Sequence, residues 1–384
     1  MGDYLREFKN FFRKGDMVLL LLCLVTNAFG CLIIASATNA EGTLRYVIIQ
    51  IVAAFLGVLL YAVTSSIDAE FFSEHRTAMV IFNTFLLLLL IPFGTDNGTG
   101  NKSWLDFPLL PVNIQPAEIC KITYILIMAS VMASHQNRPS HPMSVIHIIV
   151  HLCILVGLNL LLSRDLGVSL IFVFIFIGMA FAGGVSMIWF LAAIGAIALL
   201  WNPFYEHVLD GYQRNRIEVL FNPASDPQGI GARYHTVRSL KSLTGGGLTG
   251  QGLFQGTRTQ TFEALFAQHT DFIFSAIGEE LGYLGCALVL LMLALIIARC
   301  IWVGTKSQDY MRRLICFGAA SALIFQVLCN VGMCIGVAPV IGLTLPFISY
   351  GGSSLVSLYA MLGLVSGVHA RPAPTSHERY IRPY

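Results

Sequence analysis

Apolar residues in this chain neither alternate nor recur on one helical face; they run in long blocks. A helix needs about 20 mostly apolar residues to cross the hydrocarbon core of a bilayer. Residues 17–36 (MVLLLLCLVTNAFGCLIIAS), 46–63 and 77–94 are the first three such blocks. A fourth covers 116–134 and carries two charges, Glu118 and Lys121. Residues 139–163 hold no charge and give a fifth; 166–205 hold none either and suffice for two helices broken at Gly183-Gly184. The eighth begins near Asp271 and runs to about Ala298. Leu314 to Ala370, again without Asp, Glu, Lys or Arg, holds two more around the Gly/Pro-rich GVAPVIGLTLPFISYGG. The pattern predicts an all-α polytopic membrane protein of ten transmembrane helices. One transmembrane domain spans 17–370, with tails at 1–16 and 371–384 and a large outer loop, 201–270, between helices seven and eight. The first block is longer than a signal-peptide core and no small-residue cleavage site follows it, so it is read as a span that stays.

Composition sharpens this picture. Hydrophobic residues make up 56% of the 384 and charged residues 11%, against about 25% charged in an ordinary soluble domain. With a mean hydropathy of +0.73, too little polar surface remains for a soluble enzyme, a nucleic-acid-binding domain or a disordered scaffold. None of the nine cysteines falls in 201–270, so no extracellular disulfide framework is expected. The net charge of +2 says little, whereas its placement orients the chain. Arg6, Lys9, Arg13, Lys14, Arg76, Arg138, Arg299, Lys306, Arg312, Arg313, Arg371, Arg379 and Arg382 fall on the side of the termini, against Arg45, Lys102 and Arg164 in the short opposite loops. This positive-inside bias puts both termini in the cytoplasm and the loops 95–115, 201–270 and 336–349 outside. Chemistry is therefore expected on the outer face, where there is no ATP. The glycine-rich TGGGLTGQGLFQGT (244–257) also lacks the G-K-[ST] ending of a nucleotide loop.

Charge at membrane depth is costly and marks candidate function. Glu118 and Lys121, three apart, share a helix face and either bind substrate or pair as helix glue. Asp165 opens the sixth span in SRDLG, either as a functional carboxylate or as an N-cap. Glu279 and Glu280 lie in the eighth span about 100° apart, so at least one is read as structural. Asp271, in HTDFIF where the loop meets the eighth helix, is either a carboxylate ready to accept a proton near water or a plain cap. In the outer loop, the basic and aromatic alternation of GYQRNR (211–216) and ARYHTVRSLKS (232–242) offers Arg216 and Lys241 to a phosphate or diphosphate, the alternative being a loop solubilised by mixed charge. His147 and His151 have metal-ligand spacing, but no acidic third ligand lies near them in sequence, and no metal site is expected. The sequons at Asn97 and Asn101 are read as chance.

The segment LPFISYGGSSL (345–355) resembles the hallmark of the SEDS family, which includes RodA, FtsW and SpoVE. SWLDFPLLPVNIQPAEICK (103–121), SRDLGVSL (163–170), GYQRNRI (211–217), NPASDPQGIG (222–231), GGGLTGQGLFQGT (245–257) and HTDFIFSAIGEELGYLG (269–285) resemble further family motifs in order, and Gln326 and Asn330 fit as well. The resemblance covers about residues 15–370. It implies ten spans and a peptidoglycan glycosyltransferase that polymerises lipid II onto a growing glycan chain outside the bacterial cytoplasmic membrane, with a single-span class B penicillin-binding protein as partner. Carried over by motif, Asp271 is the catalytic residue, and Glu118, Lys121, Asp165 and Gln213 are site residues. Three positions depart from the family pattern: Ala267-Gln268 where proline-glutamate is usual, Asn113 where some relatives have arginine, and Ala232-Arg233 where glycine often precedes the tyrosine.

The implied reaction inverts an α-linked sugar diphosphate to a β-linkage in one displacement. It needs a carboxylate base on the incoming hydroxyl and a cation at the departing diphosphate. Asp271 suits the base; Lys121, a loop arginine or a divalent cation (Mg2+ or Mn2+) suits the second role, and the residues name no other cofactor. Membrane lipid surrounds the protein, and a groove between spans holds the polyprenyl tail. The alternative is a flippase for a lipid-linked precursor, for which Glu118, Lys121 and Asp165 would form a charged path. Short tails lean towards an elongation role, against a division or sporulation one.

Overall fold

The protein, seen in a computed structural model, is described for residues 14–371 apart from 96–100, 107–112, 208, 210, 227–228, 232, 262–264 and 266. The first sequon, Ala232 and the tail arginines and lysine outside 14–371 lie beyond these residues. The helices are α1 (Met17–Ala37), α2 (Arg45–Ser66), α3 (Ala69–Glu74), α4 (Arg76–Leu88), α5 (Leu90–Phe93), α6 (Pro116–Ser134) and α7 (Pro142–Leu162). They continue with α8 (Leu166–Ala182), α9 (Met187–His207), α10 (Gly211–Phe221), α11 (Tyr234–Gly245), α12 (Ile273–Lys306), α13 (Tyr310–Cys334) and α14 (Gly352–Ala370). Nine helical stretches among the described residues are long and apolar enough to cross a bilayer, with residues 76–93 counted as one. The apolar α8, at 17 residues, falls just short of that length.

Local chemistry sets the ends. Asp16, Asp165 and Asp309 cap α1, α8 and α13 by accepting from the backbone N–H of Leu19, Val168 and Arg312. Pro116 and Pro142 open α6 and α7, where the missing N–H removes no helical bond. The expected break at Gly183-Gly184 is present, and Ser140 takes up the far side through Ser186 N and Trp189 Nε1. Helices α6, α13 and α14 form the buried centre, whereas α9 buries no residue.

Three expected boundaries shift. The eighth span starts at Ile273 and runs past Ala298 to Lys306. Arg299 does not end it, because its guanidinium pairs with buried Asp16 at 2.8 Å. Helix α13 starts at Tyr310 and not Leu314, since Arg312 is buried against Asp68 at 3.3 Å. Helix α9 carries the stretch expected as the seventh span into 201–207, and the segment after it folds into α10 and α11.

The glycine-rich stretch has a structural task. Helix α12 is interrupted at Gly282, whose φ of 65° and ψ of −163° suit glycine. The interruption leaves buried backbone groups without helical partners, which is costly. The loop supplies them: Gln251 and Gly252 donate to the carbonyls of Glu279 and Glu280, and Gly247 and Leu248 accept from Tyr283 and Leu284. Both glutamates are buried and tie the same loop. Glu279 accepts from Thr257 Oγ1 and Arg258 N, and Glu280 from Ser36, Thr259 and Gln260 side chains and Phe254 N. Adjacent positions on a helix do not share a face, but a loop that wraps the helix reaches both.

Candidate active site

Asp271 lies in the turn just before α12, and the turn is held carbonyl by carbonyl. Tyr350 N donates to His269 O at 2.8 Å, and Ser349 Oγ to Thr270 O at 2.6 Å. Asn330 Nδ2 donates to Asp271 O at 2.9 Å and to Leu343 O at 2.7 Å, and Cys334 Sγ also approaches Asp271 O. The SYGG motif and α13 thus fix the backbone of HTD and leave the carboxylate of Asp271 for other work. Gln268, one of the departures from the family pattern, donates its side-chain amide to Ala37 O and Thr259 O and so anchors the turn to α1.

Asp165 stands close by. Its Oδ1 caps α8, and its Oδ2 accepts from Ser103 Oγ at 3.2 Å. The pairing of Gly94–Thr95 (β1) with Trp104–Leu105 (β2) brings Ser103 there. In the first turn of α8, Gly167 leaves room for the carbonyl of Ile341, and the next residue, Gly342, lies beside Asp271 Oδ2. Glu118 and Lys121 are both buried, with the ammonium 2.8 Å from each carboxylate oxygen. Helix α10 supplies Arg216, which donates through Nη1 to Val340 O. Gln213 sits three residues earlier on the same helix.

Electrostatics joins these elements. Burial pushes the Asp271 carboxyl up to about 6, the Arg216 guanidinium pulls against that, and Asp165 adds to the rise. Asp165 is itself raised by burial, against the N–H of Val168 and the hydroxyl of Ser103, with Glu118 adding to the rise. The arrangement is a carboxylate poised near neutrality between a guanidinium and further carboxylates, which suits proton acceptance.

Of the residues singled out from the sequence, the structure gathers Asp271, Asp165, Glu118, Lys121 and Arg216. It leaves Lys241 exposed on α11, whose buried positions are Ser239 and Ser242. Sequence reasoning missed Ser103, which looked like part of a chance sequon, and gave Asn330 no role. A polar side chain in the apolar C-terminal half of α13, four residues from Gln326, was the available signal for Asn330. Among the described residues no group of three or more His, Cys, Asp or Glu side chains converges as metal ligands. No step is routed through a divalent cation.

Residues 16–373 match the cell cycle protein family of FtsW, RodA and SpoVE. The peptidoglycan glycosyltransferase MrdB of Escherichia coli K12 is 32% identical over 357 residues, covering 92% of this chain and 93% of that one. The probable peptidoglycan glycosyltransferase FtsW of Thiomicrospira cyclica is 33% identical over 367 residues, covering 91% and 90%. Among solved structures, the rod shape determining protein RodA of Thermus thermophilus superposes with a TM-score of 0.67 at 27% identity, covering 93% and 97%. A chain from a study of polymerization and crosslinking by a peptidoglycan synthase complex gives 0.77 at 29% identity, covering 96% and 99%.

Proposed function

The chain belongs to the FtsW/RodA/SpoVE family of cell cycle proteins, and on that premise we propose that Asp271 is the general base of its reaction. It is a multi-pass membrane protein and a peptidoglycan glycosyltransferase. The incoming sugar hydroxyl of lipid II or of the growing glycan gives its proton to Asp271 as it attacks the anomeric carbon of the other substrate. The diphosphate leaves on the opposite side. One displacement inverts the α-linkage to β, and diphosphate needs no acid catalyst to depart. Arg216 and Lys121 are the cations that balance its charge, held by Val340 O and by Glu118.

The observation that carries this reading is the backbone clamp on HTD. Asn330, Cys334, Ser349 and Tyr350 fix the turn and leave the Asp271 side chain beside Arg216 and Gly342. The reading includes ten spans with both termini cytoplasmic and the chemistry on the outer face, supported by the basic-residue bias. A single-span class B penicillin-binding protein is the proposed partner, supported by the likeness to a peptidoglycan synthase complex. A role in elongation is supported by the likeness to a rod shape determining protein. Single-turnover polymerisation of lipid II by Asp271→Asn, with the partner present, tests the base: no glycan is expected, and a rate within about tenfold of the parent would remove Asp271 from the role.

A further inference from the structure

Helix α13 carries two amides that its own fold does not satisfy. Gln326 is 2% exposed, and its Oε1 bonds no described residue. Asn330 is fully buried; both amide hydrogens are used, on Asp271 O and Leu343 O, and its Oδ1 has no partner. In a membrane bundle an unsatisfied buried polar group costs several kcal/mol, so two together call for a purpose. The residues are four apart, hence neighbours on one face of the helix. Asn330 fixes which face this is, because it bonds the Asp271 backbone. The opposite side carries lipid-facing Leu328 at 60% exposure. Gln326 therefore lies one turn deeper than Asn330, beneath Asp271, where α13 packs on α6 and α8, the helices that bring Lys121, Glu118 and Asp165.

The orphaned oxygens define what would bond them. Asn330 Oδ1 and Gln326 Oε1 each need a hydrogen donor. A phosphate offers only acceptors near neutral pH, and an alkyl chain offers no donor either. A sugar hydroxyl or an acetamido group offers one. We propose that Gln326 and Asn330 form the floor of a sugar subsite beneath Asp271, receiving the hydroxyl or acetamido groups of the ring whose hydroxyl attacks. This rests on Asp271 being the base. Asn330 would then serve twice, holding the Asp271 backbone with its N–H groups and the acceptor sugar with its oxygen, so that base and nucleophile are registered through one side chain.

Gln326→Met tests this, since it keeps length and volume and removes the amide. If the amide is only an unsatisfied group, its removal relieves a cost; if it holds sugar, its removal weakens the acceptor. The expected result is a melting temperature equal to or above the parent's together with at least about a tenfold loss in polymerisation of lipid II, expressed mainly as a higher KM. A parent-like rate for Gln326→Met beside an inactive Asp271→Asn would overturn the sugar subsite alone. An active Asp271→Asn would overturn the base, and the subsite with it. Should Gln326→Met fail to fold, Gln326→Asn, one methylene shorter, decides the question by lipid II binding: parent-like affinity would overturn the proposal, and loss of affinity in a folded variant would support it.

Discussion

A methyl group on Gly167 would sit 2.7 Å from the carbonyl oxygen of Ile341. The obstacle is backbone and cannot swing aside, as a long side chain could. The segment beyond it carries Gly342 against Asp271 Oδ2 and Leu343 O against Asn330. Gly167→Ala should therefore cost about 1–3 kcal/mol of stability through overpacking and displace the wall of the site. A shift of about 1 Å near reacting atoms is worth roughly 100-fold in rate. The expected variant folds at a lower melting temperature and polymerises at least about tenfold more slowly per folded molecule. An unchanged rate would mean that this wall does not bear on the carboxylate.

Much of the fold was legible because hydrocarbon leaves few options: an apolar block of sufficient length must be a helix. The starts of α6 at Pro116 and of α8 after Asp165 follow from the sequence, and so does the break at Gly183-Gly184. What escaped depended on pairs distant in sequence. Arg299 and Arg312 read as helix ends until Asp16 and Asp68 are seen to pair with them. The interruption at Gly282 was hidden because the partners of the residues around it, Gly247 to Gly252, lie 28 to 36 residues earlier in the chain. At the site, the motifs named Asp271, Glu118, Lys121 and Asp165, but not the use of Ser103 or the clamp by Asn330, since a lone polar residue does not name its partner.

The glycine-rich loop is expected to matter for folding and not for phosphate. A Cβ on Gly282 would lie 2.4 Å from Gly250 N, in a backbone region that other residues avoid. Gly282→Ala should unseat the loop, expose the carbonyls of Glu279 and Glu280, and reduce the yield of folded protein severely. Glu280→Gln is the milder probe: it keeps the shape while weakening bonds to Ser36, Thr259 and Phe254. Its melting temperature should fall, while affinity for lipid II per folded molecule stays at the parent value. Loss of lipid II binding at unchanged stability would give the loop a ligand-holding role.

Exchange of Glu118 and Lys121 separates fold from function. Removing one partner of this buried pair leaves an uncompensated charge, a loss of about 3–5 kcal/mol. Glu118→Lys combined with Lys121→Glu restores opposite charges at the same spacing, so much of the stability lost in either single variant should return. The field presented to Asp165 and to a diphosphate is reversed, and activity should not return. Recovery of polymerisation in the double variant would reduce the pair to helix glue.

The sharpest expectation concerns pH, because Asp271 must be ionised to take a proton. With its carboxyl pushed up to about 6 by burial, single-turnover rate should rise with pH, reach half its plateau near pH 6 and level off above about 7. Arg216 pulls that value down, so Arg216→Gln should move the inflection to higher pH as well as lower the plateau. The linkage to stability has the opposite sense. A folded value above the ordinary carboxyl range of about 3.9 means that the fold favours the protonated form, so this stabilisation is present below about pH 4 and lost as pH rises through about 6. Asp271→Asn removes a carboxylate whose ionisation the fold resists. The variant should match the parent's melting temperature at pH 4 and equal or exceed it at pH 7.5, yet make no glycan at either. A variant that melts lower than the parent at pH 7.5 would show that the negative charge itself holds the turn, and Asp271 would then be part of the clamp with Asn330 and not the base.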